Sequence, residues 1–143
     1  MTGPRWVSAR ERGQVTAFLV VGVTGLLALV GLVLDGGLAL ATKIEAIGQA
    51  QEAARAGAQQ LDLDAYRADG TVTIDPQQAR TAAQQYLSAA GATGTVVVTG
   101  DAVTVTVTAV QPAQILGLVG VDNITVEGSG TAEPRRDAAS VDP

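Results

Sequence analysis

An α+β protein built on one long N-terminal helix is what three stretches of this 143-residue sequence predict. From Gly13 to Leu34 the chain carries no charge, bounded by Arg12 and Asp35, and roughly twenty residues at about 1.5 Å rise each cross the hydrocarbon of a bilayer as a helix. From Leu40 to Leu61 apolar and small residues keep the four-three spacing of a helix face. Between Thr95 and Ala132, valine alternates with threonine in runs divided by glycine, the pattern of antiparallel strands covered on one side and wet on the other. The expected architecture is a membrane-spanning helix that continues into an exported antiparallel sheet domain with helices on one face.

Composition narrows the chemistry. The net charge is -5, the basic residues are scattered, and one Trp, two Tyr and one Phe are the only aromatics, which does not describe a nucleic-acid surface. Cysteine and histidine are absent. That removes disulfides, thiolate and imidazole metal sites, Cys nucleophiles and any triad with a His base. Setting the span aside leaves roughly a hundred residues, room for one modest core.

The flanks give the topology. Arg5, Arg10 and Arg12 precede the span, opposed by Glu11, and Lys43 is the first basic residue after it. By the positive-inside rule residues 1–13 stay cytoplasmic, 14–35 span the membrane once, and the chain after Asp35 is exported. A cleavable signal peptide is the alternative, but the apolar run is longer than such a core and continues at once into helical pattern, and the one Ala-x-Ala nearby, in Leu38-Ala39-Leu40-Ala41, lies past Asp35 inside that pattern. Within the span Ala17, Thr24, Ala28 and Gly31 share one narrow face that Asp35 extends, a stripe that permits close helix packing in lipid. Asp35 also marks the exit from the membrane, with pairing to a partner subunit as the alternative reading.

After the span, residues 36–61 form an amphipathic helix whose face of Leu40, Ile44, Ile47, Ala54, Ala58 and Leu61 is available to partners. If Gly36-Gly37 does not break it, this helix and the span form one rod, with the glycine pair as its natural bend. Residues 62–132 make the exported domain. Asp62-Leu63-Asp64 and Asp69-Gly70 read as a turn-rich connection; an EF-hand would need an oxygen ligand where Tyr66 stands and glycine where Arg67 stands, so no calcium loop is assigned. Thr71 to Ile74 alternates as a short strand. Asp75-Pro76-Gln77-Gln78 opens a helix with an N-cap, a proline at the first position and a capping box. Ala79, Ala82, Ala83, Tyr86, Leu87 and Ala90 form its inner face, and Gly91 its C-terminal cap. Two strands, 95–99 and 102–110, flank Gly100-Asp101, a pair suited to a type II′ turn. A short helical segment over 113–119 ends at Gly120, and a last strand runs from Asn123 to Ala132 with Ile124 and Val126 inward. Residues 133–143 are polar and aperiodic and are expected to be disordered. Strand, helix, strand, strand, helix, strand is the split βαβ order of ferredoxin-like sheets.

Arg12-Gly13-Gln14-Val15-Thr16-Ala17, the span ending Leu34-Asp35-Gly36-Gly37, and the Gln/Ala-rich helix from Ile44 to Ala58 resemble the N-terminal module of TadE/TadG-like proteins of the tight-adherence (Flp) pilus system. The TadG-like side is the better match. Ile115-Leu116-Gly117-Leu118 followed by Ile124-Thr125-Val126 is similar to the C-terminal part of short members. The resemblance implies a pilin-like, single-pass membrane protein acting as a minor pilin, pseudopilin or assembly factor. Its implied partners are membrane lipid, other pilus or pseudopilin subunits, the assembly platform and a second copy of itself, with no cofactor. In pseudopilins a peptidase cuts after a glycine and a glutamate stands fifth in the mature chain; Gly13 and Gln14 fit the cut, whereas the fifth residue here is Phe18. Long TadG-like relatives carry an Asp-x-Ser-x-Ser adhesion domain for which this chain has neither motif nor room.

Three function classes remain to be weighed: an assembly subunit whose long helix packs on others, a tethered binding module unrelated to pili, and an enzyme. The third has the least support, because Asp62, Asp64, Asp69, Asp75, Asp101 and Asp122 each sit where a turn or cap already explains aspartate, and no phosphate loop or nucleophile motif occurs. Replacing Leu27 and Leu29 together with arginine should abolish retention in membrane fractions, since each central arginine adds about 3 kcal/mol to insertion. Unchanged sedimentation with membranes would refute the span.

Overall fold

The computed structural model describes residues 9–135. Its first element, α1, is one unbroken helix from Ala9 to Ala58, 50 residues and about 75 Å long. The glycine pair Gly36-Gly37 lies inside it without interrupting the hydrogen-bond ladder. Below Asp35 the large apolar residues of α1, from Val15 to Leu34, are 45% to 82% exposed on every side, whereas a helix at the centre of a water-soluble core would be enclosed. Above Asp35 one side of the same helix is buried, through Ala39, Ala46, Ala50, Ala53, Ala54 and Ala58.

Against that side lies a three-stranded antiparallel meander in the order β1, β2, β3, with β1 at Thr93–Thr99, β2 at Ala102–Pro112 and β3 at Asn123–Ala132. The register explains the core. Val98, Val103 and Ala132 form one cross-strand row, Val96, Val105 and Gly130 the next, and Gly94, Val107 and Gly128 the third. Val103, Val105 and Val107 are fully buried, each contributing about 2 kcal/mol by leaving water, while Thr104, Thr106 and Thr108 point to the other, uncovered face. The central strand thus carries the covered-and-wet alternation expected of it. Gly100, at φ 58, is followed by a residue with negative φ, the type II′ pattern that matches strand twist.

Glycine and alanine set the distance between α1 and the sheet. A Cβ on Gly130 would stand 2.5 Å from the backbone nitrogen of Gln51, and one on Gly128 would collide with the backbone of Ala46 and Ile47. With alanines on the helix and glycines on β3, backbone meets backbone almost directly. A second helix, α3 at Pro76–Ala89, covers the remainder of the same face through Ala79, Ala83 and Leu87. Its start follows the expected chemistry: Asp75 Oδ1 accepts from the N–H groups of Gln77 and Gln78, at 2.9 and 3.0 Å. The Gln78 side chain donates to Asp75 Oδ2 at 3.0 Å and so reinforces the cap carboxylate instead of reaching the Asp75 amide, which is bonded to Gln60 O. Those bonds, the Gln78 amide first, hold the Asp75 carboxyl below its ordinary range. Gly91, at φ 65, closes the helix, while Tyr86 is 37% exposed and Ala90 lies on the surface, so neither joins the buried face.

Three expectations change in detail. The connection at Asp62 is a short helix, α2 at Leu63–Asp69, capped by Asp62 and ended by Gly70. Thr71–Ile74 does not join the sheet: Ile74 makes a single bridge to Leu61, flanked by Asp62 N to Thr73 O and Asp75 N to Gln60 O. That pairing ties the strand-like residues to the end of α1, so the sheet has three strands and the split βαβ order does not form. The helical segment after β2 shortens to one 3-10 turn, Leu116–Val119. The α+β class, with an antiparallel sheet and helices on one face, stands. Residues 136–143 and 1–8, including Arg5 and most of the expected tail, lie outside the described residues.

Substituting Gly130 with alanine should destabilise the full-length protein by about 1–3 kcal/mol, the usual cost of overpacking against atoms that cannot yield. Denaturant unfolding in detergent would show it as a lowered midpoint. A midpoint equal to that of the parent would mean that helix and strand are not in backbone contact.

Candidate functional site

The feature with the most chemistry lies halfway along α1. Asp35 is 1% exposed, and its carboxylate receives three backbone N–H groups from the segment between β2 and β3. Gln114 donates to Oδ1 at 2.9 Å, and Ile115 and Leu116 donate to Oδ2 at 3.0 and 2.7 Å. Charge-assisted bonds of this kind are about twice as strong as neutral ones, and they satisfy amides that an irregular loop would otherwise leave bare. One turn below, Gly31 lies under Ile115, whose Cγ2 would be 2.6 Å from an added Cβ. Above, the Thr42 hydroxyl donates to Gln111 Oε1 at 2.7 Å. The loop is therefore fastened to α1 at two successive turns, and the end of β2 is fastened just above them.

Below the clasp the loop and helix enclose an apolar cleft of about 160 Å³ between Thr24, Leu27 and Ala28 on α1 and Ile115, Leu116, Leu118 and Val119 on the loop. The small residues predicted to form a packing stripe thus meet a segment of their own chain: Thr24 and Ala28 line the cleft, Gly31 admits Ile115, and Asp35 holds the backbone. Ala17 lies farther down, on a fully exposed part of the helix. Gly13 and Gln14, the residues flanking the expected cut, are exposed and helical.

The residues expected on the partner-facing stripe separate. Ala54 and Ala58 are 0% and 6% exposed within their own domain, and Ile47 is half-buried beside Gly128, so these three are occupied by the sheet. Leu61 makes the bridge to Ile74. Leu40 and Ile44 remain 58% and 63% exposed, and they alone of the six offer a broad apolar surface. The inward face is instead the alanine series from Ala39 to Ala58, which a search for large apolar residues underweights.

Other concavities hold less. A cleft of about 410 Å³ beside α1 is lined by Thr42, Glu45, Gln49, Thr93 and Thr108 among others, with one carboxylate and no nucleophile-base pair. Of the aspartates considered as a catalytic pair, Asp62 and Asp75 cap helices, and Asp69 accepts from the Thr71 amide at 3.0 Å.

One comparison addresses the stem directly. Residues 13–60 match the model of the Tad family, Flp pilus-assembly TadE/G-like. The TadE/G-like segment is therefore α1 from the start of its uncharged stretch to the turn that follows it, and the match includes neither the sheet nor the clasping loop. No curated protein and no solved structure matches the chain. The matched domain supports a role in pilus assembly, and α1 is long and apolar enough to cross a membrane once.

The contact that sequence reasoning missed is the one between Asp35 and the loop. Its signal was present as two oddities, an aspartate at the end of an apolar helix and an uncharged Ile-Leu-Gly-Leu-Val run between strands. Substituting Asp35 with asparagine should release the loop, because an amide offers one acceptor oxygen and turns two donors toward donors. Amide exchange at Gln114, Ile115 and Leu116 should quicken by at least about tenfold. Exchange as slow as in the parent would mean that the carboxylate does not hold these amides.

Proposed function

We propose that this protein is a membrane-anchored assembly subunit of a Flp or tight-adherence type pilus, in the manner of a minor pilin or pseudopilin. The observation that carries the reading is α1 itself, a TadE/G-like helix apolar on all sides in its lower half and packed on a sheet domain in its upper half. The lower half suits lipid or the helices of neighbouring subunits. The upper half delivers a folded head to the far side of the membrane, with the N-terminus in the cytoplasm and the domain outside the inner membrane. Leu40 and Ile44, just above the clasp, are the apolar surface that neighbouring subunits or the assembly platform would meet.

Two forms of the role differ at Gly13. A subunit cut there begins at Gln14 and is free to enter a filament, while an uncut chain keeps its arginines and remains in the membrane as an assembly factor. Phe18, in place of a glutamate, favours the uncut form. The intact mass of protein recovered from its native membranes should accordingly include residues 1–13, apart from removal of Met1, and deletion of the gene should abolish surface pili. A mass beginning at Gln14 would turn the reading to a processed pseudopilin. Normal piliation in the deletion strain would overturn the assembly role.

A further inference from the structure

We infer that the loop between β2 and β3, residues 113–121, is inserted in the outer leaflet of the membrane beside α1, with lipid acyl chains as the partner of its exposed side. This rests on the reading of α1 as a single-pass anchor and adds to it a second membrane-embedded element. The argument begins with length. Across the cleft the loop tip faces α1 at Ala28, Leu27 and Thr24, from about 10 to about 16 Å below Asp35 at 1.5 Å per residue. Were the loop outside the hydrocarbon, only Gly13 to Val23 would be left to span it, about 16 Å of helix for a layer of about 30 Å. Arg10, Glu11 and Arg12 stand immediately before Gly13, so the helix cannot slide toward its N-terminus to make up the difference. Counting Gly13 to Leu34 restores about 33 Å, and that places the loop tip inside the layer.

The loop's own chemistry agrees. Leu118 is 86% exposed and Val119 73%, large apolar side chains that border the cleft yet leave most of their surface bare at the depth where α1 is bare on its other sides. From Ala102 to Val121 there is no charged residue, and Asp122 marks the return. Irregular backbone at membrane depth must have its polar groups satisfied within the protein. Asp35 takes the amides of Gln114, Ile115 and Leu116. Ala113 N bonds to Asp122 O, Leu118 N to Ile115 O, Gly120 N to Gly117 O and Val121 N to Leu116 O. The same bonds give Asp35 the partners a carboxylate needs near the edge of the hydrocarbon.

The chain has no cysteine, so single cysteines can carry an environment-sensitive fluorophore at chosen sites of the full-length protein. Leu118→Cys, Val23→Cys and Gln84→Cys, each at an exposed or lipid-facing position, would be reconstituted in phosphatidylcholine vesicles whose acyl chains bear a nitroxide quencher. The label at 118 should be quenched to within about twofold of that at 23, as expected for sites sharing one hydrocarbon layer, and the label at 84 should respond only to aqueous iodide. Quenching at 23 with iodide access at 118 would overturn the inserted loop and leave the anchor standing. Shielding of the label at 118 from both quenchers, with disulfide-linked dimers forming in the unlabelled Leu118→Cys variant, would replace lipid with a second copy and equally overturn it. No quenching at 23 would overturn the anchor and the inserted loop together.

Discussion

The direct contact between α1 and β3 is the constraint on which the sheet domain depends. Alanines at 46, 50, 53 and 54 and glycines at 128 and 130 bring helix and strand so close that no larger side chain fits between them. A core of this kind buries little apolar area per residue, and the three valines of β2 supply its bulk. The head is small because its helix is shared: the element long and apolar enough to cross a membrane also forms one wall of the domain. Head and stem cannot be treated as independently folding pieces joined by a linker.

This sharing explains how much the sequence disclosed. The start of α3 was legible because Asp75, Pro76 and Gln78 act on neighbours within one turn. The hairpin at Gly100-Asp101 and the alternation of β2 were legible for the same reason, since short-range rules determine them. The inner face of α1 was less legible, because alanine serves equally well as a core residue beside glycine and as a plain helix former; only the glycines of β3, some eighty residues away, decide between the two. Thr71–Ile74 has strand character that its actual partner, the single residue Leu61, uses only as a bridge.

The candidate site shows the same division. Its small residues and Asp35 could be picked out from α1 alone, and their membrane context suggested another subunit as their counterpart. What occupies them is a loop of the same chain, joined to Asp35 across a sequence separation of 79 to 81 residues. No periodicity or local propensity reports a contact of that kind. The run from Ile115 to Val121 is uncharged and its Leu118 and Val119 prove exposed, but as sequence it read only as a short helical segment.

The clasp also bears on Gly36 and Gly37. Open space surrounds both, so neither is required by close approach, and each makes a helix easier to bend than alanine would. Yet the pair stands between two fastenings, with Asp35 tied to the loop just below and Ala39 and Thr42 against the domain just above. The arrangement is that of a hinge with a strut fixed across it. While the strut holds, it opposes bending at the pair, so the apolar helix and the head keep one angle. Detaching the loop from Asp35 would free that joint without breaking the helix, making one carboxylate the latch between a rigid post and an articulated one.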